Sequence, residues 1–291
     1  MSAGLDARHV RHAFGRAAST YEAHAILQAE VGARLIERLD GVDLQPVRVL
    51  DAGSGPGAGA RALHSRYPNA DVVALDLALP MLRAAAARAG QPPAFERVAA
   101  DVQALPFADA SFDLVHSNLC LQWCDDPGLA LAEFARVLRA NGLLLFSTFG
   151  PATLHELRTA FAAADAAPHV SRFVDMHDIG DALLTTGFRD PVLERDDFTL
   201  TYADALTLMR ELRAIGATNA DAKRRRTLTG KAHLQRVVAA YEAFRQDGRL
   251  PATYEVVYAQ AFAPAPGQPR RARGGGEIAS FPVERLRGQR R

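Results

Sequence analysis

The stretch Val49-Leu50-Asp51-Ala52-Gly53-Ser54-Gly55-Pro56-Gly57 decides the fold. It begins in an apolar run, Val47-Arg48-Val49-Leu50, that predicts a buried parallel strand. Glycines then fall at alternate positions, Gly53, Gly55, Gly57 and Gly59, and a helix-compatible run from Ala58 to Tyr67 follows. Strand, glycine turn and helix open a nucleotide-binding βαβ unit, because glycine tolerates positive φ and lets a ligand touch the backbone.

The spacing of Gly53, Gly55 and Ala58 also satisfies the dinucleotide fingerprint. Two residues argue for another ligand. Asp51 ends the strand, where its charge would repel a pyrophosphate, and Pro56 lacks the N–H that would cradle one. Both suit a positively charged ligand without phosphates, such as S-adenosylmethionine. A tight strand-to-helix turn without a ligand is the plainer alternative. VLDAGSGPG resembles motif I of class I methyltransferases, which implies that Asp51, Gly53, Ser54, Gly55 and Gly57 hold that cofactor.

The residues downstream extend this reading. Residues 70–76 form a second apolar strand ending in Asp76, near the spacing at which a carboxylate accepts from both ribose hydroxyls. Asp76 also stands where the next helix needs an N-cap, and the two roles are compatible. Leu77 and Met81 would wall an adenine. A third strand, 95–100, ends in Asp101-Val102, placed for the adenine amino group and ring. A fourth, 112–118, ends in Ser117-Asn118 at the edge where open α/β sheets collect ligands. His116 reads as a packed core residue without a catalytic role. Trp123, the only tryptophan, reads as an aromatic core anchor, with substrate stacking as the alternative.

A helix over 128–138, a turn at 139–142 and a fifth strand at 143–148 complete five strand–helix alternations, which predict a parallel doubly wound sheet. Beyond 150, helical stretches at 152–166, 178–186 and 202–215 surround a strand at 191–200, and residues 252–262 read as a final strand. Arg172-Phe173 falls in a loop. Lys223, Arg224, Arg225, Arg226 and Lys231 form a charge run, ordinarily a solvated face, here placed to dock an acidic partner. From 263 the chain is rich in Pro, Gly and Arg and reads as a mostly disordered tail.

Ahead of the first strand, residues 8–40 carry apolar residues at three- and four-residue spacings and predict a helical arm. Arg16 and Tyr21 within it are either solvated or turned toward the ligand as part of a lid. The 291 residues suit one large α/β domain with additions, at 48% hydrophobic and 23% charged content. A net charge of +1 excludes a globally basic nucleic-acid binder. No apolar run is long enough for a membrane span, and no signal-peptide core precedes the arm. The two cysteines, Cys120 and Cys124, read as buried free thiols of a cytoplasmic protein, with no metal cluster around them.

Five further segments, in order, are AFGRAASTYEAHAILQ (13–28), SNLCLQWCDD (117–126), PHVSRF (168–173), RELRAIGATN (210–219) and LPATYEVVYA (250–259). Together they resemble the malonyl-acyl-carrier-protein O-methyltransferase family of biotin synthesis. The resemblance implies a Rossmann-like, mostly parallel seven-stranded sheet whose last strand is antiparallel. It divides the chain into a helical arm (1–45), a methyltransferase domain (46–262) with helical insertions at 151–187 and 202–250, and the tail. The implied reaction methylates the free carboxylate of a malonyl thioester on acyl carrier protein, with S-adenosylmethionine as cosubstrate and neither a metal, a nucleic acid nor a membrane as partner. A carboxylate is already ionised at neutral pH, so such a site needs a cation more than a base. Arg16 and Arg172 are the expected cations, Tyr21 and Phe173 the pocket walls, and the basic run the carrier-protein contact. A methyltransferase for a small lipid or quinone, and a methyltransferase-fold assembly factor, remain alternatives.

Overall fold

The computed structural model describes residues 4–90, 93–224 and 230–264, with the backbone of 270–271 and 277–278. The expected arm is three helices rather than one: α1 (Ala7–Ala17), α2 (Tyr21–His24) and α3 (Ile26–Glu37). Local hydrogen bonding explains the first break. The Thr20 hydroxyl lies 3.1 Å from the Ala17 carbonyl and 2.7 Å from that of Ala214, so the backbone leaves the helix to meet the insertion.

The domain then runs β1 (Arg48–Ala52), α4 (Ala58–Arg66), β2 (Asp71–Asp76), α5 (Leu79–Ala86), β3 (Glu96–Ala99), β4 (Phe112–Asn118), α6 (Pro127–Val137) and β5 (Leu138–Phe149). It continues through α7 (His155–Ala162), α8 (Met176–Thr185), β6 (Arg189–Tyr202), α9 (Ala205–Ala214), α10 (Lys231–Tyr241) and β7 (Leu250–Phe262). The seven strands lie in the order β3-β2-β1-β4-β5-β7-β6. Neighbours from β3 to β5 are parallel, while β7 runs antiparallel to both β5 and β6. This is the Rossmann-like sheet with an antiparallel last strand that the sequence implied. The turn expected at 139–142 is instead absorbed into β5, where Asn141 takes φ +62°. Of the tail, Arg270–Arg271 pairs with Glu277–Ile278, and the rest lies outside the described residues.

Alternation along each strand divides the core into two layers. Val49, Val72, Ala74, Leu114, Leu143 and Leu145 face α3 and α4, while Leu50, Val73, Leu75, Val115, Leu144 and Phe146 face α6 and α8. Both faces are covered, which is why these strands read as continuous apolar runs. Phe146, on central β5, has no exposed surface. Phe146→Ala is expected to cost about 3–5 kcal/mol, read as a lower urea midpoint with an unchanged slope.

Candidate active site

The carboxyl ends of β1, β2 and β4 open onto a cavity of about 700 Å³. The turn after β1 forms one wall. Gly53 there has φ +76°, and a Cβ on it would stand 2.4 Å from the Cys120 sulfur, so no side chain fits. The N–H groups of Gly53 and Ser54 both donate to the Leu75 carbonyl, at 2.8 and 2.9 Å. Asp76 accepts from Gly55 N–H at 2.8 Å and Ala78 N–H at 2.7 Å. Burial pushes the Asp76 carboxyl up to about 6, against the pull of these two donors, and the charge of Asp51 adds to the rise. Leu77, Met81, Asp101, Val102 and Asn118 continue the lining, and the arm contributes Val10, Phe14 and Tyr21. Asp101 is held in place by Gln103, whose backbone and side-chain N–H groups reach Oδ1 at 2.9 and 3.2 Å.

Four residues expected against the ligand stand behind this wall instead. Asp51 is 2% exposed, and its Oδ1 lies 2.8 Å from Nδ1 of the fully buried His116. Its charge therefore lies under the glycine turn and does not face the cavity, a correction to direct contact with a cationic ligand. The Ser54 hydroxyl is buried and makes no hydrogen bond among the described residues. Gly57 begins α4 against Phe95, and the Ser117 hydroxyl donates to the Ala52 carbonyl at 2.8 Å. These residues shape the turn.

A second cavity, of about 760 Å³, lies alongside. Phe14, Tyr21, Leu119 and Trp123 line both. Trp123 is thus a wall residue rather than the expected core anchor, packed edge-to-face on Phe14 at 5.1 Å and 83°. Leu119 sits at φ +48° and Leu154, lining the second cavity, at φ +53°. Bulky side chains in this left-handed region cost roughly 1–3 kcal/mol each and mark places where function constrains the backbone. The remaining walls come from the 150–154 loop, the 169–173 loop and the 212–219 segment after α9. Burial raises the Tyr21 phenol, with the nearby Asp76 charge adding to it, so the phenol remains an O–H donor at neutral pH.

The expected cations do not enter this second cavity. Arg16 is exposed on an outer groove with Arg11 and His12. Arg172 is exposed and lines a separate depression beyond Phe173, while Phe173 itself lines both spaces. Arg224 is a further correction: its guanidinium is 15% exposed and bonds Asp6 Oδ2 and the Asp221 carbonyl, both at 3.0 Å. It ties the insertion to the N-cap of α1 and offers little charge to a partner. Lys223 and Lys231 are exposed; Arg225 and Arg226 lie outside the described residues.

Sequence reading passed over Phe14, Leu119 and Cys120 in the first cavity and Gln28, Gln122, His169, Asn219 and Tyr254 in the second. Most stood inside segments that carried the family resemblance, and that was the available signal. His169 belongs to a cluster with Asp165 and His233, whose ligating atoms lie within 4.8 Å of one another. Among the described residues, no helix is long and apolar enough to cross a membrane.

Comparison with known proteins agrees with this geometry. A methyltransferase-domain family matches residues 50–146. A putative methyltransferase from Bacillus halodurans shares the fold, with a TM-score of 0.59 at 20% identity over 80% of this chain and 99% of that one. A malonyl-acyl-carrier-protein O-methyltransferase of Laribacter hongkongensis is 51% identical over 95% of this chain and 96% of its own. One from Xylella fastidiosa is 48% identical over 100% and 99%. Likeness of this extent, running through the arm and both insertions, makes the chain a member of the malonyl-acyl-carrier-protein O-methyltransferase family.

Proposed function

We propose that the protein transfers a methyl group from S-adenosylmethionine to the free carboxylate of a malonyl thioester carried by acyl carrier protein. The observation that carries this reading is the pair of adjoining cavities with four walls in common. The first offers Asp76 for ribose hydroxyls, Leu77 and Met81 for the adenine faces, and Asp101-Val102 for its edge, so its residues suit the cosubstrate. When bound, S-adenosylmethionine supplies a methyl carbon made electrophilic by the adjoining sulfonium. Phe14, Tyr21, Leu119 and Trp123 surround the point of transfer and exclude water from it.

No base is required. The acceptor oxygen gives an electron pair to the methyl carbon while the carbon–sulfur pair returns to sulfur, leaving a neutral ester and a neutral thioether. Holding oxygen, carbon and sulfur in line is worth roughly 7–11 kcal/mol of the barrier. The apolar walls strip water from the carboxylate, and the Tyr21 hydroxyl is placed to donate to it. The exposed cations Arg172, Lys223 and Lys231 suit an acidic carrier protein, a role that bulk water permits them. Masking the malonyl charge would admit the chain to fatty-acid elongation, the place in biotin synthesis that the family resemblance implies.

The reading is tested by radiolabelled methyl transfer to malonyl and acetyl carrier protein. Label on the malonyl form alone is expected; equal labelling of both, or of neither, overturns it, and preferential labelling of a quinone supports the lipid alternative. For the cosubstrate, Asp76→Asn is expected to weaken S-adenosylmethionine binding about tenfold or more by calorimetry at pH 7.5. The free carboxyl titrates near 6, and hydroxyl donors favour its ionised form. Wild-type affinity should therefore be flat above neutrality and fall as the pH drops through 6, whereas the Asn variant should lack that fall.

A further inference from the structure

Among the described residues, His169 is the one in the lining of the second cavity that can carry a positive charge, and no Asp or Glu lines it. A carboxylate entering such a space loses its hydration and needs a charged hydrogen-bond partner in return.

His169 is built to supply one. Its Nε2 lies 2.7 Å from Asp165 Oδ1, and its side chain is 13% exposed. The ring stacks on Phe161 at 4.1 Å with the planes 11° apart, which fixes its orientation. Asp165 is held in turn by Ala167 N–H at 3.0 Å. Burial works against its charge, but the His169 and Ala167 hydrogen bonds outweigh it and keep the carboxyl below its ordinary range. The other His169 ring nitrogen, Nδ1, makes no hydrogen bond among the described residues.

His233 Nε2 approaches the same carboxylate at 3.5 Å. Three such groups could suggest a metal site, but Arg236 argues otherwise. Its guanidinium lies 3.4 Å from His233 Nδ1, so that nitrogen accepts and the proton sits on Nε2, where a metal would need a lone pair. A guanidinium at that distance also repels a divalent cation.

We propose that His169, carrying its second proton and clamped by Asp165, is the cation that holds the acceptor carboxylate during methyl transfer. This inference rests on the carboxyl-methyltransferase reading above. An imidazolium serves this chemistry better than the expected arginine fork. One N–H engages one carboxylate oxygen and leaves the other free to attack, whereas a bidentate guanidinium would tie up both. The product ester is neutral, so the attraction ends with the reaction and release follows. Among the described residues, the charged and titratable groups that face the ring include Asp165, His233 with Arg236 behind it, and Tyr254 of β7 in the same cavity.

The test is steady-state methyl transfer to malonyl carrier protein, with S-adenosylmethionine affinity measured by calorimetry to confirm that each variant is folded. His169→Gln is expected to raise KM for malonyl carrier protein about ten- to a hundredfold with cosubstrate affinity within about twofold. An unchanged KM in His169→Gln would overturn the inference alone, as would stoichiometric zinc binding that the substitution abolishes. Wild-type enzyme inactive on malonyl carrier protein would instead remove the reading on which the inference rests.

Discussion

The site depends on one side chain at the end of β4. Asn118 Nδ2 donates to the Gln28 carbonyl of α3 at 2.9 Å, and its Oδ1 accepts from the Ser147 hydroxyl of β5 at 2.7 Å. Ser147 Oγ in turn accepts from the N–H of Leu119 at 3.0 Å. The chain of bonds therefore joins the arm, two central strands and the residue in left-handed backbone between the cavities. Gly32 allows the close approach: a Cβ there would stand 2.9 Å from Asn118 Nδ2. Buried polar networks of this kind strengthen one another when complete. This one keeps Leu119 in a conformation that an isolated leucine avoids.

The electrostatic design follows from a nucleophile that arrives already charged. A site of this kind gains nothing from a general base at the transfer point. The Tyr21 phenol stays protonated through burial, and Tyr254 is raised for the same reason. Acids are placed with equal economy. Asp76 meets the first cavity, Glu156 and Glu255 are buried against protein donors, and Asp51 is buried with one oxygen on His116. The Glu255 carboxylate takes Ala152 N–H at 2.8 Å, and that of Glu156 takes the Thr253 hydroxyl at 2.5 Å, so both shape the 150–154 loop that walls the second cavity.

The residues lining the first cavity were largely legible in the sequence, and those lining the second were not. Gly53, Gly55, Asp76, Leu77, Met81, Asp101 and Val102 each sit at or just after a strand end, so period and topology together place them at one edge. Asp51 misled because sequence says that an acid ends β1 but not which way it points. Its neighbour His116, on the adjacent strand, took the carboxylate into the core. Arg16 and Arg172 misled for a related reason. A cation in a loop or final helical turn has an inward and an outward rotamer, and the sequence pattern alone does not choose between them. His169 was invisible as a functional group because Asp165, four residues before it in the loop after α7, gives no signal by itself, and the other member of the cluster, His233, lies on α10, which was not resolved as a helix by its pattern.

The arm and the insertion after α9 behave as one cover. Asp6 binds Arg224, Thr20 binds the Ala214 carbonyl, and His9 Nε2 lies 3.2 Å from the Thr218 hydroxyl. Gly216, at φ +80°, brings its backbone against Phe14, where a Cβ would stand 3.0 Å from Phe14 Cα. Phe14 lines both cavities, so whatever seats the insertion also sets a wall of each. FGRAASTY and AIGATN, far apart in sequence and outside the sheet, therefore pack on one another, and a change in either segment reaches the Phe14 wall that the two cavities share.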